Sequence, residues 1–205
     1  MNILAIGAHP DDIEVGCAGT LFKHIDSGDY VHMVCTTQGG YGNRPWDLIM
    51  SEVECVKSKM NVDYTILDNP VGHLEHSWKT VSEIDELIEK HDIDTVYSVW
   101  HGDAHQDHQI TYDIVLSACR KRAKNLLCFE ISSYSNRSNR IFNPQLYVDI
   151  TRYYEKKIEV ISCYQSYINE YHLRAVEGLA KHRGVLFQFP YAEAFEIVFM
   201  CDMRY

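Results

Sequence analysis

The sequence predicts an α/β fold, namely a Rossmann-like three-layer α/β/α sandwich with a mainly parallel sheet. Short apolar runs alternate with amphipathic segments along the chain, the runs have the length of buried strands, and Gly, Pro, Asn or Asp often separate them. Parallel strands of this kind are joined by helical crossovers, which are almost always right-handed. The chain has 205 residues and no stretch with the composition of a linker, so we expect a single domain over residues 1–205.

Each element is predicted from its apolar periodicity, since continuous apolar runs indicate buried strands and apolar positions three and four residues apart indicate helices. The first half should hold strand NILAIGA, helix GTLFKHIDSG ending at Gly28, strand YVHMVCTT, loop QGGYGNRP, a helix from about 46 to 60, strand VDYTILD, helix TVSEIDELIEKH capped by Thr80 or Ser82, and strand IDTVYSVW. The second half should hold a helix from about 107 to 124, strand LLCFEIS, strand QLYVDI, helical stretches from about 152 to 183, and strand AFEIVFM.

The composition excludes several classes of partner. A net charge of −10 disfavours nucleic acid and anionic membranes, since both require positive charge. No apolar run approaches the roughly 18 residues of a membrane helix, and the N-terminus lacks the pattern of a signal peptide. We therefore expect a cytoplasmic protein without nucleic-acid or membrane partners. The seven cysteines are odd in number and lack CxxC spacing, which predicts reduced, mostly buried thiols.

The turn after the first strand reads G-A-H-P-D-D-I-E-V-G and is unsuited to a phosphate. It lacks the GxGxxG spacing of dinucleotide-binding loops, and it places the carboxylates Asp11, Asp12 and Glu14 where an anion would sit. A cation suits the same place, because His9 and Asp12 are both common metal ligands. In open parallel sheets, ligands bind at the carboxyl ends of the strands, where this turn lies.

A second group of ligand-type residues follows the fourth strand, at W-H-G-D-A-H-Q-D-H. Two strand ends can converge on one metal, and His9, Asp12 and a histidine of this second group would leave a position open for water, as in catalytic zinc sites. Asp11 would then be the general base beside that water. The candidates in the second group are His101, Asp103, His105, Asp107 and His108.

Each motif has a simpler interpretation when it is taken alone. HPDD could be a loop with a helix-capping aspartate, and the HxxH of His105 and His108 could be two exposed polar residues at the start of a helix. The occurrence of both motifs at predicted carboxyl ends of strands favours a shared metal site over two unrelated loops.

These motifs resemble the PIG-L/LmbE-like family of zinc-dependent N-deacetylases. The resemblance rests on AHPDDIEVGCAGT, on HQDH about ninety residues later and on YAEAFE near the end, and it spans nearly the whole chain. It implies a Rossmann-like fold and an N-acetylated amino sugar as substrate. It also implies one Zn²⁺ per chain, and the same ligand types accept other divalent transition metals, which stay open as alternatives. By position, the resemblance makes His9, Asp12 and His108 the zinc ligands and Asp11 the general base. It makes His105 the histidine that steadies the oxyanion or protonates the leaving amine. Asp107 would be an outer partner that orients a histidine.

Three departures from the family pattern fall on the expected substrate side. The family's HPDH is HQDH here, Gly40 stands where a glutamate is common, and Ile49 stands where an arginine often precedes a helical glutamate. Arg44 is the only arginine before Arg120, so it is the candidate substrate contact; the alternative is an exposed loop arginine.

The expected activity is hydrolysis of an acetyl amide on an N-acetylglucosamine-like sugar, as a glycoside or linked to a nucleotide. Two alternatives stay open: a zinc amidase acting on another acylated small molecule, such as a thiol conjugate or an antibiotic intermediate, and a non-catalytic binding protein of the same fold. A binding protein has no need of Asp11 beside Asp12, which favours an enzyme. The sequence leaves a homo-oligomer open.

Overall fold

The computed structural model describes residues 1–39, 44–131 and 138–201. The strands are β1 (Asn2–Gly7), β2 (Tyr30–Cys35), β3 (Asp63–Ile66), β4 (Thr95–Val99), β5 (Asn125–Phe129), β6 (Leu146–Asp149) and β7 (Ala192–Met200). The helices are α1 (Asp12–Asp26), α2 (Trp46–Met60), α3 (Trp78–Lys90), α4 (Gln106–Cys119), α5 (Tyr154–Ile161) and α6 (Glu170–Val185), with a 3₁₀ turn at Thr151–Tyr153. Within these ranges, every helix is too short or too polar to cross a membrane.

The seven strands form one sheet in the order β3-β2-β1-β4-β5-β7-β6. Strands β1 to β5 pair in parallel, whereas β7 runs antiparallel to both β5 and β6. The order reverses between β1 and β4, because the chain moves outward from β1 to β3 and then returns to the other side of β1. Such a switch point opens a crevice at the carboxyl ends of the two strands.

Apolar side chains cover the sheet on both faces, which confirms the predicted three-layer α/β/α fold. One core cluster contains Leu21 of α1, Val53 of α2 and Ile161 of α5. The cluster on the other face contains Ile84 of α3 and Val115 of α4. A parallel sheet covered on both faces requires strands that are buried throughout. Strands β4 and β5 are buried at every position, and β1 is buried at every position after Asn2.

Several helix boundaries differ from the predicted ones. Helix α3 begins at Trp78, because Ser77 Oγ accepts the backbone N–H of Thr80 and Thr80 Oγ1 accepts the backbone N–H of Ser77 in a capping box. The expected cap at Thr80 or Ser82 is therefore wrong by three to five residues. Helix α4 ends at Cys119 rather than near Lys124, and the C-terminal helical region is divided between α5 and α6. Apolar spacing does not mark such ends, whereas capping side chains do.

The expectation that all cysteines are reduced is wrong for one pair. Cys55 of α2 and Cys163, which follows α5, form a disulfide with a Cα–Cα distance of 5.9 Å and a sequence separation of 108. The other five cysteines are free thiols, of which four are buried and Cys201 is exposed. Spacing along the chain does not reveal this pairing, because α2 and α5 meet only through packing on the same face of the sheet.

Candidate metal centre and active site

The two sequence motifs meet at the switch point of the sheet. HPDD follows β1, HQDH lies just after β4, and the two strands are hydrogen-bonded neighbours. One potential ligand atom each from His9, Asp12 and His108 lies within 4.8 Å of the other two. Parallel pairing explains the meeting, since it brings the carboxyl ends of both strands to the same edge. The structure therefore brings together the three residues that are predicted from the sequence to be ligands.

Asp12 lies at the middle of the cluster. Its Oδ2 accepts hydrogen bonds from the backbone N–H groups of Ala8 and His9, at 2.9 Å each. These bonds close the turn between β1 and α1, where a Cβ at Gly7 would lie 2.8 Å from the Cβ of Asp12. Burial opposes ionisation of Asp12, but His108 and His9 outweigh it and hold the pKa of its carboxyl well below the ordinary value.

The ring of His9 lies between two carboxylates. Its Nδ1 is 3.5 Å from Asp12 Oδ2, and its Nε2 donates to Asp107 Oδ2 at 3.1 Å. Asp107 is fully buried, and the same oxygen accepts the backbone N–H of Gly72 at 2.8 Å. Burial lowers the pKa of His9, but the hydrogen bonds to Asp107 and Asp12 prevail and raise it to about 9.

Asp103 plays the corresponding part for His108. His108 Nε2 lies 3.3 Å from Asp12 Oδ2, while its Nδ1 lies 3.0 Å from Asp103 Oδ2. This contact pairs the far nitrogen of the ring with a buried carboxylate. Burial lowers the pKa of His108, but Asp12 and Asp103 prevail and raise it to about 10. The sequence analysis includes Asp103 in the second group but gives it no role. Its position five residues before His108 is the sequence feature that could have indicated this contact.

Asp11 has an unusual backbone conformation, with φ 119° and ψ −27°. A residue with a side chain rarely adopts this φ, and holding it there costs on the order of 1–3 kcal/mol. Asp11 makes no side-chain hydrogen bond as the cap of α1, so the simple interpretation of HPDD as a capping motif is wrong for this residue. Burial and the neighbouring charge of Asp12 raise the pKa of the Asp11 carboxyl well above its ordinary value.

His105 stacks on His108 with ring centroids 4.7 Å apart and meets the edge of His9 at the same distance. Its Nδ1 accepts the backbone N–H of Asp107 at 3.2 Å, which caps α4. An accepting Nδ1 places the proton of the neutral ring on Nε2. Burial and the charges of His108 and His9 lower the pKa of His105, whereas the pKa values of His9 and His108 are raised. Since His108 is also buried, the alternative of two exposed histidines at a helix start is wrong.

The side chain of Arg44 is held by hydrogen bonds near the His9, Asp12 and His108 cluster, so Arg44 is not an exposed loop arginine. Its side chain is 16% exposed, its Nη2 donates to Glu52 Oε2 at 2.6 Å, and its Nε donates to Ser166 Oγ at 2.9 Å. The guanidinium also lies 5.8 Å from the ring centroid of Tyr167. Its charge is close enough to Asp11 to favour the ionised form of that carboxyl. Gly40, the departure noted in the preceding loop, lies outside the described residues.

The donor set and its spacing fit one divalent transition-metal ion. A tetrahedral ion with bonds of about 2.0–2.1 Å separates neighbouring ligand atoms by about 3.3 Å. His9 Nδ1 and His108 Nε2 lie at 3.5 and 3.3 Å from the same Asp12 oxygen. Each imidazole also has a carboxylate on its far nitrogen, the arrangement that fixes the orientation of metal-bound histidines. Within the described residues, His9, His105 and Asp107 form a second, overlapping group that could hold an ion.

Comparison with known families agrees with this geometry. The family described as "PIG-L: GlcNAc-PI de-N-acetylase" matches residues 4–119, which is more than half of the chain. The chain belongs to the PIG-L family. The predicted resemblance is thereby confirmed. PIG-L proteins are deacetylases, so the chain is an enzyme of the class that hydrolyses amides.

Individual relatives show the same family and fold. The chain is 33% identical to "Uncharacterized deacetylase YaiS" of Escherichia coli K12 over 130 residues, which are 58% of this chain and 68% of YaiS. The structure of N,N'-diacetylchitobiose deacetylase from Pyrococcus horikoshii matches with a TM-score of 0.81 at 20% identity, covering 96% of this chain and 83% of that one. GalB, the 4-carboxy-2-hydroxymuconate hydratase from Pseudomonas putida KT2440, matches with a TM-score of 0.87 at 18% identity, covering 100% and 98%. At such identities the two structures show the fold alone.

Proposed function

We propose that this PIG-L protein is a zinc-dependent hydrolase that removes the acetyl group from an N-acetylated amino sugar. The observation that carries the proposal is the meeting of HPDD and HQDH around Asp12, with both histidine nitrogens 3.3–3.5 Å from one carboxylate oxygen. Asp11 lies next to this centre in a strained conformation. Strain of this kind is found mainly at functional sites, since the rest of the fold must maintain it.

Three residues would hold the ion in this proposal. His9 Nδ1, Asp12 and His108 Nε2 are the ligands, and Asp107 and Asp103 fix the orientation of the two rings. When bound, zinc polarises the amide carbonyl and lowers the pKa of water towards neutrality. The ion also offsets the repulsion among the buried carboxylates. That compensation explains why adjacent aspartates are tolerated in the HPDD turn.

Asp11 is the proposed general base. Its carboxylate takes a proton from water as the water oxygen bonds to the acetyl carbon, and it returns this proton to the nitrogen as the C–N bond breaks. An amine is a poor leaving group unless it is protonated, so one group that moves the proton in both directions is sufficient. The raised pKa of the Asp11 carboxyl suits a residue that must hold the proton between the two steps.

His105 is proposed to stabilise the oxyanion of the tetrahedral intermediate. Its Nδ1 is engaged by the backbone N–H of Asp107, which leaves a proton on Nε2 to donate. A neutral imidazole N–H fixed in place before the reaction is an effective oxyanion donor, since it needs no reorganisation during the step. The stacking on His108 holds the ring at the edge of the proposed ligand set.

The substrate class is inferred from the family and from Arg44. The family is named for the de-N-acetylation of GlcNAc-PI, and the Pyrococcus neighbour is named for diacetylchitobiose. We propose an N-acetylglucosamine-like sugar, as a glycoside or linked to a nucleotide. Arg44 is the proposed substrate contact, because its guanidinium is held rigidly near Asp11 by Glu52 and Ser166.

A second candidate is a zinc amidase on another acylated small molecule. Structural neighbours with TM-scores of 0.73 and 0.79 are named as deacetylases of teicoplanin and of the antimicrobial A40926 pseudoaglycone. These enzymes would share the centre proposed here and differ in the pocket around it. The hydratase GalB further shows that this fold supports another reaction. A non-catalytic protein is disfavoured, since it would have no use for strain at Asp11.

The experiment that tests the function combines metal content with acetate release. Protein loaded with zinc should contain one ion per chain by elemental analysis. It should also release acetate from a panel of free N-acetylglucosamine, a chitobiose and a UDP-linked N-acetyl sugar. Asp11→Asn serves as the control that keeps the ligands. Zinc binding without acetate release from any sugar would favour the second candidate, and absence of zinc would refute both.

Three broader proposals concern the whole chain. We propose that residues 1–205 form one domain, because one sheet takes strands from the first residues to Met200. We also propose a cytoplasmic location on the four buried thiols, although the Cys55–Cys163 disulfide counts against it. Trapping of thiols by alkylation in intact cells would decide the location. A homo-oligomer stays a proposal, and light scattering on purified protein would measure it.

A further inference from the structure

A buried ion pair contacts helix α1 just beyond the HPDD turn. Lys157 of α5 donates to Glu193 of β7 at 2.6 Å, and each side chain is only 3% exposed. Lys157 Nζ also donates to the carbonyl oxygen of Val15 at 2.7 Å. The pair is thus bonded to the backbone of α1 and not merely packed against it.

Glu193 makes three further bonds to the same helix. Its Oε1 accepts the backbone N–H of Gly19 at 2.9 Å, and its Oε2 accepts the N–H and the hydroxyl of Thr20 at 2.7 and 2.6 Å. In a regular α-helix the Gly19 N–H donates to the Val15 carbonyl. Here the ion pair bonds both of these groups from the side, so it engages the hydrogen-bond ladder of α1 itself.

This contact lies one turn from the proposed catalytic residues. The backbone N–H of Val15 donates to the carbonyl oxygen of Asp11 at 2.9 Å, and α1 begins at Asp12. A helix transmits displacement along its axis as a nearly rigid body over one or two turns. Lys157 and Glu193 hold Val15 and Gly19 in one position. This contact therefore sets the position of the HPDD turn at the start of α1.

We propose that Lys157 and Glu193 are positioning residues of the active site, which fix α1 so that Asp11 and Asp12 face His108. The inference rests on the proposed function, since it concerns the geometry of that centre. It adds two residues that lie outside both sequence motifs of the metal site, one of them within YAEAFE. That late motif thereby gains a physical role.

The energetics favour positioning over simple stabilisation. Removing two charges from water costs several kcal/mol per ion, so an apolar pair of similar volume often gives equal or greater stability. Apolar contacts are not directional, however. Where α1 meets the sheet, a Cβ at Gly16 would lie 2.1 Å from Phe129, so the helix packs too closely to allow bulky locking side chains there. Four directional bonds to Val15, Gly19 and Thr20, together with the Lys157–Glu193 bond itself, specify both the rotation and the translation of the helix.

The test replaces the ion pair and examines the centre with Co²⁺, whose visible spectrum reports ligand geometry. In the neutral pair Lys157→Met with Glu193→Gln, we expect the Co²⁺ spectrum to shift and its affinity to fall about tenfold, as for loss of a residue that orients ligands. The control is Glu130→Gln, which breaks the buried contact of Arg183 Nε with Glu130 Oε1 at 2.5 Å. Arg183 belongs to α6, and its guanidinium also lies 5.4 Å from the ring centroid of Phe142. The control should lower the melting temperature while leaving the spectrum unchanged.

A folded double variant with the wild-type spectrum and affinity would overturn the inference. Should the double variant not fold, Glu193→Asp replaces it, because this substitution keeps the charge and shortens the side chain by one methylene. We expect Glu193→Asp to shift the Co²⁺ spectrum. An unshifted spectrum would overturn the inference. Wild-type protein that binds no Co²⁺ through His9 and Asp12 would overturn the proposed function together with this inference. Wild-type binding with unaltered variants would overturn the inference alone.

Discussion

The Asp103 carboxylate lies 3.0 Å from Nδ1 of His108, on the side of the ring opposite the nitrogen that faces Asp12. His9 has the same arrangement with Asp107. Each proposed ligand ring is therefore held by a carboxylate from the loop or helix that follows β4. This symmetry gives the first prediction, because it assigns Asp103 a role equal to that of Asp107.

Asp103→Asn should lower zinc affinity about tenfold while leaving the fold intact. Asparagine keeps the size of the side chain and can still accept the backbone N–H of His105, as Asp103 does at 2.8 Å. What it loses is the negative charge beside the His108 ring. Competition with a chelator measures the affinity. Asp113→Asn, at an exposed position of helix α4, is the matched control. Equal affinities for the two variants would remove Asp103 from the centre.

His108→Ala should weaken zinc binding well beyond the roughly 10- to 100-fold expected for an outer partner. The variant removes a proposed ligand and leaves Asp12 with one imidazole neighbour. Elemental analysis after dialysis checks the occupancy, and His182→Ala, an exposed histidine of α6, provides the comparison. Full occupancy in His108→Ala would transfer the site to the overlapping group of His9, His105 and Asp107.

Asp11→Gly should raise stability and abolish turnover. Glycine adopts φ 119° without the steric conflict of a side chain, and the change removes a charge beside Asp12. We expect the metal-free variant to be more stable by about 1 kcal/mol, after allowing for the greater freedom of glycine in the unfolded chain. Urea unfolding measures this gain. Asp11→Asn, which keeps the side-chain size, should lose turnover with a smaller change in stability. A less stable glycine variant would show that the conformation is not strained.

Loss of the disulfide should destabilise the fold strongly. The bond closes a loop of 108 residues, for which chain entropy predicts a contribution on the order of 4 kcal/mol. We expect the double variant Cys55→Ala with Cys163→Ala to unfold at lower urea, and wild-type protein in reductant to behave like it. Cys201→Ala, which removes an exposed free thiol, is the control. If oxidised wild-type protein, wild-type protein in reductant and the double variant unfolded at the same urea concentration, the bond would not form in solution.

His32 should make the fold sensitive to mild acid. Burial and the nearby His91 lower its pKa to about 4, below the unfolded value of 6.5. Folding thus favours the neutral ring, so its contribution is complete above pH 6.5 and is lost as the pH falls towards 4. Lys90 also lowers this pKa, Asp63 opposes the shift, and the ring Nε2 pairs with Thr65 Oγ1.

The loss from His32 should amount to about 2 kcal/mol, which is less than the full pKa shift implies because a pH of 4.5 is still above the folded pKa. His32→Gln should flatten the decline of unfolding free energy between pH 7 and pH 4.5 relative to wild type. An unchanged slope would mean that other groups cause the decline. His182→Gln, at an exposed site, should leave the slope as it is.

The sequence by itself determined the fold class and indicated which residues form the candidate site. Apolar runs and helical spacing depend on whether each residue is buried, which is a local pattern, so β1, β2 and β4 could be located with little error. HPDD and HQDH were recognisable because ligand-type residues followed predicted strands. Asp107 was expected to orient a histidine, and the structure shows that this histidine is His9.

Only the tertiary structure decided which distant residues meet. The adjacency of β1 and β4, the Asp103–His108 contact, the Cys55–Cys163 bond and the attachment of Lys157 and Glu193 to α1 depend on strand order and on helix packing. Local periodicity carries no information on these contacts, because the same strands could pair in several orders with equal burial. The strain at Asp11 was equally hidden, since a backbone angle is imposed by the surrounding fold and not by the aspartate itself.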